Sequence, residues 1–555
     1  MRKKLLALLP LLIMVFFYSR LPDIIQMIEL DIMRFQASEN KTSSFDNTKA
    51  TYKQVEETEI SIDTFPKLET DRDDTERIQR AVDYCIENDK DLFFPSDGSY
   101  ILRSVNVEAG LRIVGYGATF TLADAQPKFT RMFTTTSRQW ESAEDSDYLI
   151  FEGMTFDGNV WNQGAFLNYE LEQQFAIMYM GSTANTGMLR GKVINCRFQN
   201  WAADGVHIYT NADVEVVGCS SINCFRGGVV ATGAPANVKI SDYVGEKGQF
   251  GKVLDVEVET SPAAPINVTI DSMIAYGGVD LAAQPGSVIT VEGLTVIGGD
   301  TYIYGFGSEV TINNSVLGNV EMRNATNCVF NDTTFVITPD TTDDSSGVLA
   351  AVGDDFDLIP KQNYYAEFNR CIFERVDKDN LVEMDHELNA LKGYFGKIAL
   401  NDCVIGKGFT TGYYNLGVAY SDLINVTFES DIAIAMQPLE WARIFKMVLD
   451  NVQYVGTNAS PYHFLGYTNT KPYIIVEFKN MILDSSTAGY AVDKRLGTTQ
   501  IVSSRIIYVD ADPTTTSVPG FAGDIAKLYT PVDGEPAEWV ATSNDPVAAT
   551  WEIVE

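Results

Sequence analysis

Asn195-Cys196-Arg197-Phe198 is one copy of a short pattern that recurs along most of the chain: a polar residue, a small or apolar residue, any residue and an apolar residue. Other clear copies begin at Asp332, Asn425, Asn451 and Asn480. Apart from two longer gaps, the second positions of successive copies lie 18 to 29 residues apart. A repeat with a period in the twenties predicts a solenoid, in which each repeat packs mainly against its neighbours.

The runs between these copies have the features of short strands. They alternate apolar and polar residues, are rich in Val, Ile, Thr, Phe and Tyr, and are separated by Gly, Asn or Asp. One repeat therefore holds roughly three strands of 4–6 residues with their turns. No segment with helical periodicity recurs between the strands, so the sequence predicts an all-β parallel β-helix rather than a leucine-rich repeat.

The cysteines fit the same pattern. In a β-helix they occupy equivalent inward positions of successive coils, where they behave as small buried hydrophobic residues. Disulfide bonds are the alternative, because an exported protein favours them. The seven cysteines are Cys85, Cys196, Cys219, Cys224, Cys328, Cys371 and Cys403.

An amino-terminal cap can be recognised before the repeats. Asp73-Asp74-Thr75 supplies N-cap residues and negative charge for the start of a helix. The apolar residues that follow are spaced for one helical face, and two strand-like runs come next. The apolar positions are Ile78, Ala81, Val82, Cys85 and Ile86, and the strand-like runs are Leu92–Pro95 and Gly98–Leu102.

This opening resembles that of the pectate-lyase-like superfamily, through Asp73-Asp74-Thr75, Ile78-Gln79, Ala81-Val82, Phe93-Phe94-Pro95 and Gly98-Ser99-Tyr100. These proteins are right-handed parallel β-helices and include polysaccharide lyases, glycoside hydrolases, uronan epimerases and phage tailspike depolymerases. The signature covers about thirty residues, and the coil pattern extends the resemblance to near residue 510. The resemblance implies a right-handed solenoid that handles carbohydrate, but it does not specify the reaction.

The ends of the chain differ from the repeats. Met1-Arg2-Lys3-Lys4 followed by the apolar run Leu5–Tyr18 predicts a signal peptide or membrane anchor over 1–20, with a buried helix as the alternative. A linker is expected over 21–60, a β-helix domain over 61–510 and a small β-rich carboxy-terminal module over 511–555. The first prediction implies an extracellular protein that is secreted or anchored at the cell surface.

Charge limits the classes of partner. The 555 residues include 75 Asp and Glu against 41 Lys and Arg, a net charge of -34, so nucleic acids and anionic lipids are repelled. A polyanionic glycan would need a local basic patch. No cofactor or metal site is predicted firmly, but Ca²⁺ at an acidic loop is considered, with a solvated loop as the alternative. The loop carries Asp340, Asp343, Asp344, Asp354, Asp355 and Asp357.

The candidate catalytic residues lie on three consecutive coils. Aligning Asp204-Gly205-Val206, Gly227-Gly228-Val229 and Val253-Leu254-Asp255 puts these strands in equivalent positions. Carboxylates one coil apart would then stand side by side, as acid–base cleavage of a glycan requires. The predicted catalytic residues are Asp204, His207, Arg226, Asp255 and Glu257. Turn, ladder or ordinary surface roles remain the alternatives for them.

Aromatic and basic residues near these coils are candidates for sugar binding, because aromatic faces stack on sugar rings. Packing over the first coils is the alternative for the aromatic residues, and Asp157 is interpreted as a turn residue. The predicted substrate-binding residues are Trp161, Tyr179, Trp201, Tyr209 and Lys252.

Three functions follow from these expectations. The first is an extracellular glycoside hydrolase or polysaccharide lyase that acts along the face of the solenoid. The second is a glycan-binding adhesin, or a phage-type receptor-binding spike, without catalysis. The third is a structural solenoid with no ligand. The expected partner is a polysaccharide, with an amino-terminal membrane tether and a homotrimer as further possibilities.

Overall fold

The computed structural model describes the chain from residue 59 onward, with gaps. The described residues are 59–135, 144–164, 171–182, 187–248, 251–257, 264–283, 285–305, 307–323, 327–337, 348–352, 364–376, 389–416, 418–436, 444–456, 458, 461–464, 473–484, 490–492, 499–503, 505–509, 513–514, 518, 524–528, 538–543 and 549–553. The predicted signal peptide or anchor lies outside these residues, as does the predicted linker except for its last two positions.

The amino-terminal cap is the helix Thr75–Asn88, as the apolar spacing predicts. It buries Ile78, Ala81, Val82 and Cys85 against the first coils. Two acidic residues precede the helix and have different roles. The Asp73 carboxylate accepts a hydrogen bond from the Thr75 amide at 2.8 Å, at the start of the helix. The Asp74 carboxylate accepts a hydrogen bond from the Ile101 amide on a neighbouring strand. Two further helical turns, Ile62–Thr64 and Val160–Asn162, are 3-10 segments.

The rest of the described chain forms a right-handed parallel β-helix with three strands per coil. Face 1 comprises Glu59–Ser61, Asp91–Phe93, Arg112–Val114, Tyr148–Glu152, Leu189–Ile194, Ala212–Val217, Glu309–Asn313, Asn327–Asn331, Tyr365–Asn369, Lys397–Asn401, Tyr420–Ile424, Ile444–Asp450, Tyr473–Lys479 and Thr499–Ser503. Face 2 comprises Ser99–Leu102, Thr119–Leu122, Thr155–Asp157, Arg197–Gln199, Ser220–Cys224, Val316–Leu317, Thr334–Ile337, Ile372–Arg375, Val404–Ile405, Thr427–Phe428 and Gln453–Tyr454. Three long strands, Ala236–Lys247, Ile266–Tyr276 and Val288–Ile297, run through both faces.

Face 3 is a separate sheet of fifteen strands. It comprises Val105–Asn106, Arg131–Thr134, Phe175–Tyr179, Asp204–Ile208, Gly227–Ala231, Lys252–Val256, Val279–Ala283, Thr301–Gly305, Val320–Arg323, Val348–Val352, Asn389–Gly393, Thr411–Asn415, Ile432–Met436, Tyr462–Phe464 and Tyr490–Val492. All of its strand pairings are parallel, as a β-helix requires.

The recurring polar residue of the sequence pattern marks the corner between faces 1 and 2. Asn195, Asp332, Asn425, Asn451 and Asn480 all have φ between 49° and 56°, in the left-handed region that Asn and Asp tolerate better than most residues. The side chains also form ladders, since the Asn451 amide donates to Asn425 at 2.9 Å and the Asn425 amide donates to Asp402 at 2.8 Å. The pattern therefore reports a backbone requirement that recurs once per coil.

The inward residues after each corner fill the core. Phe156 stacks on Phe198 at 5.3 Å, and Phe335 stacks on Phe373 at 4.8 Å, each pair on successive coils. All seven cysteines are buried and free, so the structure contains none of the disulfide bonds considered as the alternative. Four of them, Cys196 with Cys219 and Cys371 with Cys403, follow the corner as predicted. The other three lie elsewhere: Cys85 in the helix, Cys224 at a strand end and Cys328 on face 1.

A five-stranded sheet closes the carboxy-terminal end and extends face 2. It contains Ile482–Asp484, Ile506–Val509, Ile525–Leu528, Glu538–Ala541 and Trp551–Ile553, of which the last two pair antiparallel. The β-rich appendage is thus hydrogen-bonded to the last coils through the pairing of Ile506–Val509 with Ile525–Leu528. At this junction the fully buried Arg505 forms an ion pair with the fully buried Asp524, with Nη2 and Oδ2 2.5 Å apart.

Candidate active site on face 3

The candidate residues lie on face 3, where strands one coil apart are in register. His207, Val230, Asp255, Asp280 and Tyr302 are successive Cα partners. The sequence alignment is therefore wrong by one residue on its third strand, because Leu254 and not Asp255 is the partner of Val229. The equivalent triplet on this strand is Lys252-Val253-Leu254, and Asp255 lies beside Val230.

Asp204, His207 and Arg226 form one cluster. The Asp204 carboxylate is fully buried, with Oδ2 2.8 Å from Nδ1 of His207 and Oδ1 3.3 Å from Nε of Arg226. The His207 ring stacks on Phe175 with 4.1 Å between ring centroids, and its Nε2 lies 3.3 Å from the Thr232 hydroxyl. Both ring nitrogens of the histidine are thus engaged, and the ring is held in one orientation.

Arg226 connects this cluster to the surface. Its Nη2 lies 3.9 Å from the Glu257 carboxylate, and Glu257 is nearly half exposed. Burial alone would lower the pKa of Arg226, but the carboxylates of Asp204, Glu257 and Asp255 outweigh it and raise that pKa. Arg226 is therefore a fixed cation between a buried and an exposed carboxylate.

Asp255 has the most strongly shifted carboxyl group of the site. Burial, with Glu257 and Asp280 as negative neighbours, raises the pKa of Asp255 to about 8, although Arg226 opposes the shift. A hydrogen bond with Glu257 contributes in the same direction. Asp255 is therefore protonated near neutral pH and presents a carboxylic acid beside carboxylates, an arrangement typical of acid–base catalysts.

The next coils add an acid and two aromatic residues that the sequence pattern did not single out. Asp280 pairs with Lys252 at 3.1 Å, and burial raises the pKa of Asp280 despite that cation. Lys252 Nζ lies 4.1 Å from the centroid of the Tyr302 ring, which is nearly parallel to the Tyr304 ring at 6.4 Å. The repeated Val-Asp-Leu spacing at residues 279–281, one coil after Leu254-Asp255-Val256, is the signal that could have found Asp280.

The predicted sugar-binding residues separate into two groups. Tyr179 and Trp201 are fully buried in the core, where the Trp201 indole donates to the Phe156 carbonyl at 3.1 Å, so neither faces a ligand and both expectations are corrected. Trp161 is 65% exposed and packs edge-on against Phe225. Tyr209 is partly buried beside His207, and Lys252 is partly exposed.

Asp157 has the turn role assigned to it. Its carboxylate accepts the Asn159 amide at 2.8 Å and the Gln199 side-chain amide at 2.7 Å. Among the described residues, no group of three or more His, Cys, Asp or Glu is arranged to hold a metal ion. The acidic loop considered for Ca²⁺ lies outside the described residues, so that expectation remains a prediction.

Comparison with known proteins gives similarity of fold alone. No protein-family model and no curated protein matches the sequence. The chain is similar to the amino-terminal fragment of gene product 12 of bacteriophage phi29, with 12% identity, 81% of this chain and 82% of that chain covered and a TM-score of 0.44. It is also similar to PfbA, a surface adhesin of Streptococcus pneumoniae, with 12% identity, coverage of 90% and 98% and a TM-score of 0.35.

A third similar structure is the family 28 exopolygalacturonase of Yersinia enterocolitica, with 10% identity, coverage of 75% and 78% and a TM-score of 0.31. Fold and site together define the class: a right-handed parallel β-helix with a row of carboxylates, cations and aromatic residues along one outer face. Within the described residues, no helix has the length and apolar character needed to cross a bilayer.

Proposed function

We propose that this protein cleaves a polysaccharide by hydrolysis on face 3. The observation that supports the proposal most directly is the protonated carboxyl group of Asp255, whose pKa is raised to about 8 by burial and by its acidic neighbours. Glycoside hydrolysis needs one carboxylic acid that donates a proton to the glycosidic oxygen and one carboxylate that acts on the anomeric centre.

Asp255 is the proton donor in this mechanism and Glu257 is the carboxylate. In the free protein the Asp255 carboxyl group donates a hydrogen bond to Glu257. In the complex with the glycan, the glycosidic oxygen replaces Glu257 as the acceptor of this hydrogen bond. The sugar–oxygen bond then breaks and the departing sugar takes the Asp255 proton. Glu257 either accepts a proton from the water that attacks the anomeric carbon, or attacks that carbon itself to form a glycosyl ester. In the second route the Asp255 carboxylate takes a proton from a water molecule, which cleaves the ester and releases the sugar from Glu257. The anomeric configuration of the first product distinguishes these two routes.

The remaining residues position this pair. Arg226 lies next to Glu257, with Nη2 3.9 Å from its carboxylate, while the buried Asp204–His207 pair fixes the guanidinium from behind. Because Asp204 and His207 have almost no exposed surface, we assign them positioning roles. Tyr302 and Tyr304 offer ring faces for the sugar chain next to Asp280.

Elimination is less well supported by the same geometry. A lyase needs a base that removes a proton from the sugar and a cation that neutralises the adjacent carboxylate. Asp255 is protonated near neutral pH, and Arg226 is already faced by Asp204 and Glu257.

The test is a reducing-end assay of the full chain on a panel of neutral and acidic polysaccharides, with absorbance near 235 nm recorded in parallel. New reducing ends without a rise in absorbance are the expected result. A parallel rise would mean a lyase, and binding without any cleavage would mean an adhesin and would overturn the proposal.

Location and assembly belong to the same proposal. The basic and apolar sequence over residues 1–18 supports export, with secretion or a membrane tether as the two forms. Fractionation of the producing cells tests export, and light scattering of the purified chain tests for a homotrimer.

A further inference from the structure

Arg131 is a cation of face 3 that the proposed mechanism does not use. It lies on the strand Arg131–Thr134, and its Cα partners on the next coils are Phe175 and then Asp204. Two coils separate it from Asp204, about 10 Å along the solenoid axis. Arg131 therefore lies on face 3 in the row that continues through Asp204 to Lys252, towards the amino-terminal end from the candidate active site.

The surroundings of Arg131 differ from those of Arg226 and of the fully buried Arg505. Its Nε is buried, and its side chain has no hydrogen-bonding or ion-pair partner in the described part of the chain. Burial lowers the pKa of Arg131, and the Tyr209 phenol is the group that opposes this shift. By contrast, Arg226 and Arg505 each face carboxylates.

A half-buried guanidinium with no ion-pair partner among the described residues is unusual in a chain with 75 acidic residues. Its contact with the Phe175 ring, at 5.8 Å from the centroid, supports the side chain from one direction but leaves the hydrogen-bond donors unsatisfied. A planar guanidinium with free donors matches a carboxylate or sulfate group, which it binds through two parallel hydrogen bonds.

We propose that Arg131, beside Phe175 and Tyr209, binds an anionic substituent of the glycan, a uronic acid carboxylate or a sulfate ester, four coils and about 19 Å from the cleavage centre along the solenoid axis. The inference rests on the proposed function in that the same outer face holds the glycan. It also narrows the class of substrate, because the acids of the cleavage centre oppose a dense polyanion. An isolated anionic group that reaches Arg131 meets a cation that no carboxylate of the described residues pairs with.

A glycan array tests this inference for many linkages at once. The array presents each acidic glycan beside its carboxyl-reduced or desulfated form and is probed with the full chain, Arg131→Gln, Arg131→Lys and Arg197→Gln. Arg197 is an exposed arginine on face 2 and serves as the matched control. Unchanged binding of the neutral forms shows that a variant is folded.

The wild-type chain is expected to prefer the acidic member of at least one pair about tenfold or more. Arg131→Gln loses that preference, Arg131→Lys keeps part of it and Arg197→Gln keeps all of it. The type of pair that responds separates carboxylate from sulfate. No acid-dependent pair, or a preference that survives Arg131→Gln, overturns the inference.

This outcome is separable from that of the cleavage test. Preference for an acidic glycan without new reducing ends would leave the Arg131 site standing and remove the enzyme proposal. Cleavage with no dependence on Arg131 would do the reverse.

Discussion

Asp255 and Asp280 are Cα partners on adjacent strands of face 3, and burial raises the pKa of both carboxyl groups. Parallel coils bring such residues side by side because equivalent positions of neighbouring strands are about 4.8 Å apart. Two buried acids at this spacing cannot both ionise without cost, so at least one holds a proton near neutral pH. The fold thus creates a proton donor from residues 25 positions apart in sequence.

The raised pKa of Asp255 also predicts how stability depends on pH. Because the folded chain holds a proton that the unfolded chain releases near pH 4, this contribution is complete at low pH and is lost as pH rises through about 8. Between about pH 5 and pH 8 the wild-type denaturation midpoint should fall. Asp255→Asn should flatten that slope, in part, because Asp280 has a pKa raised in the same direction.

Chemical denaturation at several pH values checks this slope. Asp271→Asn, at an exposed position, is the control and should retain the wild-type pH dependence. A slope that is identical in Asp255→Asn and wild type would mean that Asp255 is ionised throughout this range.

The turnover number kcat should depend on the protonation of Asp255. If Asp255 is the donor, kcat falls as pH rises through about 8, since the acid form is lost. The substitution Glu257→Gln removes a hydrogen-bonded, negative neighbour of Asp255 and should move any residual basic limb to lower pH. A pH–rate profile that is flat from neutral pH to above pH 9 would exclude Asp255 as the donor.

The Arg505–Asp524 pair should carry a large share of the stability at the carboxy-terminal end. Both side chains are fully buried, so Asp524→Asn removes the negative charge that faces the Arg505 guanidinium and should cost about 3–5 kcal/mol. The double variant Arg505→Met with Asp524→Leu should recover much of that loss. Urea denaturation measures both, and Arg370→Met, at the exposed pair with Asp332, should cause no measurable change. Equal loss in the single and double variants would contradict this account.

The left-handed conformation of the residues at the corner between faces 1 and 2 leads to a prediction about stability. Asn425 has φ 56°, and both Asn425→Gly and Asn425→Ala remove its side-chain hydrogen bonds. Glycine adopts this conformation freely, so the alanine variant should be less stable than the glycine variant by about 1–2 kcal/mol. Equal denaturation midpoints would show that the corner does not require the left-handed conformation.

These corners explain why the fold could be predicted from sequence. One backbone requirement recurs in every coil, so Asn195, Asn425 and Asn451 repeat it visibly in the sequence. Likewise the helix Thr75–Asn88 has an apolar face whose periodicity depends on local geometry alone.

The site was less predictable because it depends on register. The strand Lys252–Val256 pairs with Gly227–Ala231 so that Asp255 lies beside Val230, and composition alone does not distinguish this register from one shifted by a residue. Trp201 and Tyr179 illustrate the same limit, since whether an aromatic residue beside a strand faces the core depends on the turn before it. Asp280 would have been found from the sequence if the alignment of coils had been extended to the next coil, at residues 279–281.

The most direct test of the central claim is the turnover of Asp255→Asn on the polysaccharide that the wild-type chain cleaves, with Asp271→Asn as the matched control. The account predicts that kcat falls at least about a hundredfold in Asp255→Asn, while glycan binding and the Asp271→Asn rate stay near wild type. Wild-type turnover in Asp255→Asn would contradict it and would move the catalytic centre away from this row of face 3.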